Sequence, residues 1–218
     1  MATGTGWLRL GVLGGLLAGS ASFAADAGDA PRARERPPAY DTQSVQWQLL
    51  AGGLASLDGY STLGYQGWMI GSGWEFPRLR FRFQFIAGLP RSLVDDRTEV
   101  RLDQYALSFG LDTPLLSDGA WRWSVGAGAG LLVFMRSAHA LVGGVDPAGP
   151  RIHPALMTGP DTSLRWRFSR YFGVESSLAM DIVVGRPIFG FVDSNGFDPL
   201  REGWAVRPRL NVALVVFP

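Results

Sequence analysis

Cysteine and lysine are both absent from the 218 residues, and histidine occurs only twice. Without cysteine there is no disulfide, thiol nucleophile, thiolate metal ligand or lipidated N-terminal Cys. Charge is scarce: 18% of residues are charged and the formal net charge is +1, so no strong field of one sign steers nucleic acid or an acidic partner. No segment reaches 18 consecutive apolar residues, the least that reads as a helical membrane span. The longest candidate, residues 125–135, is interrupted by Gly126, Gly128 and Gly130. What the chain does have is 29 glycines and 12% aromatics, with 47% hydrophobic residues overall, too apolar for a disordered chain. Its length suits one domain with a sizeable core.

The N-terminus reads as a processing signal. Arg9 precedes an apolar run over 10–19, and small residues follow through Ala24. This run is too short to span a bilayer, and its end fits small-x-small cleavage. Residues 1–24 are therefore expected to be a signal peptide; cleavage after Ala27, or an uncleaved anchor, remains open. Removing residues 1–24 takes away one Arg and no acid, which brings the formal charge from +1 to zero. Residues 25–42, rich in Asp, Arg and Pro, are expected to form a flexible periplasmic leader.

From residue 43 the hydrophobic period becomes two. In Arg78–Phe85, Leu79, Phe81, Phe83 and Phe85 fall on one face and Arg78, Arg80, Arg82 and Gln84 on the other, a sorting that only a strand produces. The same pattern recurs around Trp121, Leu164, Phe172 and Trp204. Strands are predicted near 43–55, 60–74, 77–89, 98–112, 120–136, 158–169, 171–185 and 203–217, each long enough to cross a bilayer when tilted. Short turns are expected at Glu75–Pro77, Pro114–Gly119 and Arg170–Tyr171, and longer loops at 90–97, 137–157 and 186–202. The first connection, 56–59, is short and departs from this alternation. Short turns on one side and long loops on the other mark a transmembrane barrel.

An aromatic girdle is expected at the short-turn rim, made of Trp47, Trp74, Phe76, Trp121, Trp123, Trp166, Phe168, Tyr171, Phe172 and Phe217. The opposite face places Arg80, Arg82, Gln84, Arg122, Arg165, Arg167, Glu175, Asp181, Arg207 and Arg209 in the lumen, with Asn211 and the inward glycines 126, 128 and 130. Register predicts two cross-strand pairs, Arg165 with Glu175 and Asp181 with Arg207. The inverse arrangement, a soluble exported barrel with aromatics inside, has the same alternation.

Together these features resemble the small eight-stranded outer-membrane β-barrels of Gram-negative bacteria, of the OmpA transmembrane-domain and OmpX type. The resemblance spans 43–218 and is architectural. The terminal stretch 210–218 is similar to the last strand that the barrel-assembly machinery recognises, although Phe217 is penultimate and out of phase with Leu210, Val212, Leu214 and Val216. The resemblance implies an all-β, eight-stranded antiparallel up-and-down barrel, monomeric and without cofactor. It would sit among outer-membrane lipid and lipopolysaccharide, and no nucleic acid is expected as a partner.

Eight strands leave a lumen barely wide enough for side chains. The expected function is structural: a plugged barrel carrying external loops for envelope integrity or surface contact. A narrow, porin-like anion path through the Arg-rich lumen is the first alternative. A lipid-modifying enzyme is the second; its acid–base candidates would be His139 and His153, both placed in the 137–157 loop, with no serine near His153. Asp95, Asp96 and Glu99, and likewise Asp193 and Asp198, match no Ca²⁺ loop spacing.

Overall fold

Period-two alternation continues through nearly every segment of the computed structural model, which describes residues 45–142, 149–193 and 196–218. The expected signal and leader, 1–42, lie outside these residues. The strands are β1 (Gln46–Ser56), β2 (Tyr65–Glu75), β3 (Arg80–Gly88), β4 (Arg91–Val94), β5 (Thr98–Asp118), β6 (Trp121–Ala140), β7 (Arg151–Arg167), β8 (Phe172–Val184), β9 (Ile188–Asp193), β10 (Gly196–Glu202) and β11 (Val206–Val216). Among the described residues, eight of them close a barrel in the order β1-β2-β3-β5-β6-β7-β8-β11, with β11 pairing back to β1. All neighbours run antiparallel. The fold is the all-β, eight-stranded barrel expected.

The connections differ from expectation in four places. β5 runs on through a bulge at Pro114–Leu116, so its turn falls at Gly119, whose φ of 53° suits glycine. The 137–157 loop contracts to 141–150, because Ala138 and Ala140 on β6 pair with β5, and Arg151–Pro154 on β7 pair with β6. Both histidines therefore sit in strands: His139 opposite Glu99, and His153 opposite Phe134. The first connection is longer than expected, 57–64, and joins the long-loop end. Finally, β4 extends the wall beside β5, and β9–β10 forms a separate hairpin, both within segments expected as loops.

Three of the strand prolines sit where a missing N–H costs little. Pro154 lies on the part of β7 that pairs with β6 alone, and Pro160 falls in a gap of the β7–β8 ladder that leaves its register unshifted. Pro114 marks the β5 bulge.

The two faces are inverted relative to a soluble barrel. Outward positions on β1, β8 and β11 carry no charge and, but for Ser176, no polar side chain, and on β6 the outward face stays uncharged from Trp121 to Met135. Inward positions are split along the axis. The short-turn half is charged; the loop half is apolar, packed with Leu54, Met69, Ile86, Leu102, Leu132, Phe134, Met157 and Val183.

Candidate functional site

The lumen network is built where alternate residues of different strands converge. All ten predicted lumen residues, Arg80, Arg82, Gln84, Arg122, Arg165, Arg167, Glu175, Asp181, Arg207 and Arg209, are buried, as is Asn211. Arg80 is the hub. It donates to Asp112 on β5 (2.7 Å), Glu175 on β8 (2.5 Å) and the Ser163 hydroxyl on β7 (2.9 Å). Arg165 stands opposite Glu175 in register and donates Nη2 to it at 2.7 Å, while its Nη1 reaches Glu75 at 2.6 Å. Arg122 also pairs with Glu75. Arg82 bridges Asp112 (2.6 Å) and Asp161. Arg167 donates to the Arg170 carbonyl (2.5 Å) and lies 4.3 Å over the Phe217 ring.

Glycines make this packing possible. A Cβ at Gly126 would overlap the Leu111 carbonyl oxygen and the Asp112 carboxylate, and one at Gly110 would press on the Arg82 guanidinium (3.2 Å). On β6, Gly126 thus admits an aspartate while Gly128 and Gly130 meet the backbone of β5, and it is Gly110 on β5 that makes room for an arginine.

Register sets Asp181 opposite Arg207, yet the side chains pair differently. Arg209 takes both oxygens of Asp181, at 2.7 and 3.0 Å. Arg207 turns toward the loop end instead, over the rings of Phe134 (5.2 Å) and Tyr60 (5.4 Å). The faces of these two rings, rather than the Asp181 carboxylate, take the Arg207 cation.

Glu75, Asp112 and Asp161 add three lumen acids to the predicted set. Glu75 lies just past the predicted strand 60–74 and Asp112 at the end of 98–112; with Asp161, they share the parity of the buried positions on their strands. With Glu175 and Asp181 they set five acids against the seven predicted lumen arginines, which narrows the basic excess to two.

A second cluster caps the loop end. Asp58 is fully buried; it accepts from Gln104 (2.9 Å), the Tyr60 N–H (3.2 Å) and Arg91. Its carbonyl accepts from the Trp204 N–H at 2.7 Å. Tyr60 packs against Phe134 and Phe189 and donates its hydroxyl to the Pro187 carbonyl at 2.7 Å. Burial pushes the Tyr60 phenol up to about 12, against the pull of Arg207. Asp58 and Tyr60 fall in a loop where strand alternation carries no information, so nothing in the sequence marked them.

At the short-turn rim, Trp47, Trp74, Phe76, Trp121, Trp123, Trp166, Phe168, Tyr171 and Phe172 are exposed on the outer face. Trp121 stacks on Trp166, with centroids 5.7 Å apart. Phe217 departs from the predicted set: it is buried in the lumen under Arg167, which its phase along β11 accounts for. Trp68, Phe85 and Tyr105 form a further outer cluster nearer the loop end, at 5.7 and 6.4 Å between centroids. Of the loop carboxylates, Asp95 caps its own turn, accepting from the N–H groups of Arg97 (2.7 Å) and Thr98 (2.8 Å).

The arrangement is that of the small outer-membrane-type barrels, with a charged core inside an apolar, aromatic-rimmed wall. Among solved structures, the chain is similar to Ail, the attachment invasion locus protein of Yersinia pestis, in complex with the heparin analogue sucrose octasulfate. The TM-score is 0.50 at 10% identity, covering 80% of this chain and 99% of that one. Neisserial surface protein A matches with TM-score 0.45 and 14% identity over 80% and 99% of the two chains. CarO of Acinetobacter baumannii matches with TM-score 0.38 and 12% identity over 77% and 97%. No family model and no curated protein matches the sequence.

Proposed function

We propose that this chain is a bacterial outer-membrane protein whose barrel spans the bilayer with a closed lumen and presents its loop end for surface contact or envelope integrity. The observation that carries this reading is the uncharged outer wall. From Trp123 to Val133, which stands opposite Tyr105, β6 rises about 26 Å along the axis at a tilt of about 40°. An outer-membrane barrel needs an apolar band of about 25 Å. The first outward charge on β5 beyond Tyr105 is Asp103, one step above that band.

Closure is supported by the interior. The ion pairs of Arg80, Arg82 and Arg165 cross the lumen, and a cavity of about 20 Å³ between Arg82, Asp161, Asp181 and Arg209 has room for about one water. Above it, the apolar plug and the Asp58–Tyr60 cap fill the loop end. The test is conductance of the mature chain refolded into a planar bilayer. Insertion without current steps is the expected result. Discrete anion-selective steps would overturn the closed lumen and leave the channel reading in its place.

A further inference from the structure

Beyond the barrel rim, β5, β6 and β7 project as a flap, and two arginines face each other on it. Arg136 of β6 and Arg151 of β7 are register partners. Each shares the parity of buried neighbours on its own strand, Phe134 and Leu132 on β6, Ala155 and Met157 on β7, so both belong to the inner, lumen-side face of the flap. Like charges directly opposed across strands destabilise a sheet. Among the described residues, neither arginine forms an ion pair, and the Arg136 Nε is buried without a hydrogen-bond partner. The acids on the neighbouring stretch of β5 do not reach them: Glu99 and Asp103 share the outward parity of that strand, and Asp103 lies 3.7 Å from Arg101. Burial and the charge of Arg151 lower the Arg136 pKa from its ordinary value.

We infer that Arg136 and Arg151 form a binding site for a water-borne phosphate or sulfate monoester. This rests on the outer-membrane reading, which exposes the flap to the medium. Guanidinium forks bind tetrahedral oxyanions through paired N–H donors, and one anion between the two would replace the mutual repulsion with attraction to both. A monoester group supplies that geometry and charge. The inner face also decides between sources: phosphates of the surrounding lipid leaflet lie outside the wall, on the opposite side of the flap, whereas a soluble monoester reaches the site from above. His153, on the same face of β7, offers a further donor at the edge of the pair.

The test is titration calorimetry with inositol hexakisphosphate, a soluble phosphate monoester, against the protein refolded in phosphatidylcholine nanodiscs free of lipopolysaccharide. Wild type is expected to bind, and Arg136→Ala/Arg151→Ala to bind about tenfold or more weakly. Arg97→Ala, which removes an exposed loop arginine outside the pair, is expected to match wild type. Without probe, the double variant is expected to melt no lower than wild type, since its change removes a repulsion; should it fail to fold, Arg136→Gln/Arg151→Gln takes its place. Unchanged affinity in the double variant, or an equal loss in Arg97→Ala, would overturn the site. So would Arg136- and Arg151-dependent binding seen only with lipopolysaccharide-containing nanodiscs, because that assigns the pair to a lipid headgroup. Failure of the chain to insert into any bilayer would instead refute the outer-membrane reading itself.

Discussion

Glu175 shows how much can hang on one carboxylate. It receives Arg80 and Arg165 together, so Glu175→Ala takes one of two carboxylate partners from each of two buried guanidinium groups. Breaking a buried ion pair from one side costs about 3–5 kcal/mol. The expected outcome is a clearly lower unfolding midpoint in urea for the refolded barrel, with Glu175→Gln in between; an unchanged midpoint would contradict the pairing. Tyr60 makes a different prediction. Its folded pKa of about 12 lies above the ordinary 10.0, so folding is favoured in full below pH 10 and loses that contribution as pH rises toward 12. Thermal melts across pH 9–12 should therefore fall, and Tyr60→Phe should flatten part of the fall while lowering the plateau, because the bond to Pro187 goes too. Residue-scale legibility followed parity. The Arg165–Glu175 partnership could be read from the sequence, because both lie on clean alternation about a tight turn. The choice of Arg209 over Arg207 by Asp181 could not, because it depends on Tyr60 and Phe134, which arrive from distant elements.

At the scale of the strand, alternation located all eight barrel staves but misjudged their ends. Residues 137–157 contain Gly, Pro and Ala and look like a loop, yet neighbouring strands hold Ala138, Ala140 and Arg151–Pro154 in the ladder; tertiary pairing overrides weak local propensity. The short β4 and the β9–β10 hairpin carry too few residues for a period to declare itself. Glycine on β6 offers the sharper experiment at this scale. Gly126→Ala drives a methyl into the backbone of β5 and against Asp112, whereas Gly53→Ala meets its nearest atom, the Gly67 carbonyl oxygen, at an ordinary 3.7 Å. Heat-modifiable electrophoretic mobility after refolding should be lost or much reduced for the first and kept for the second.

For the whole molecule, the decisive contrast is between water and lipid as the solvent of the outer wall. Phe109 points outward near mid-band and is 64% exposed. On a soluble barrel, Phe109→Arg would be nearly neutral, as exposed substitutions usually are. In a bilayer, it should cost about 2–4 kcal/mol, as an arginine near the midplane does. Urea titration of both proteins in phosphatidylcholine vesicles measures the difference, and a shift within error would argue that water, not lipid, meets the outer wall. Which solvent meets which face was the one architectural ambiguity that alternation left open, because a period of two sorts faces without saying what lies beyond each.

Arg80, reaching from β3 to β5, β7 and β8, has a mechanical consequence. Its bonds run like spokes across the hoop, so tension applied to one stave is shared with staves on the far side. Drawn from a bilayer by an atomic-force tip at its C-terminus, the native barrel should resist as a unit and release several strands in one rupture. Arg80→Ala should instead give way hairpin by hairpin, a staircase of smaller force peaks.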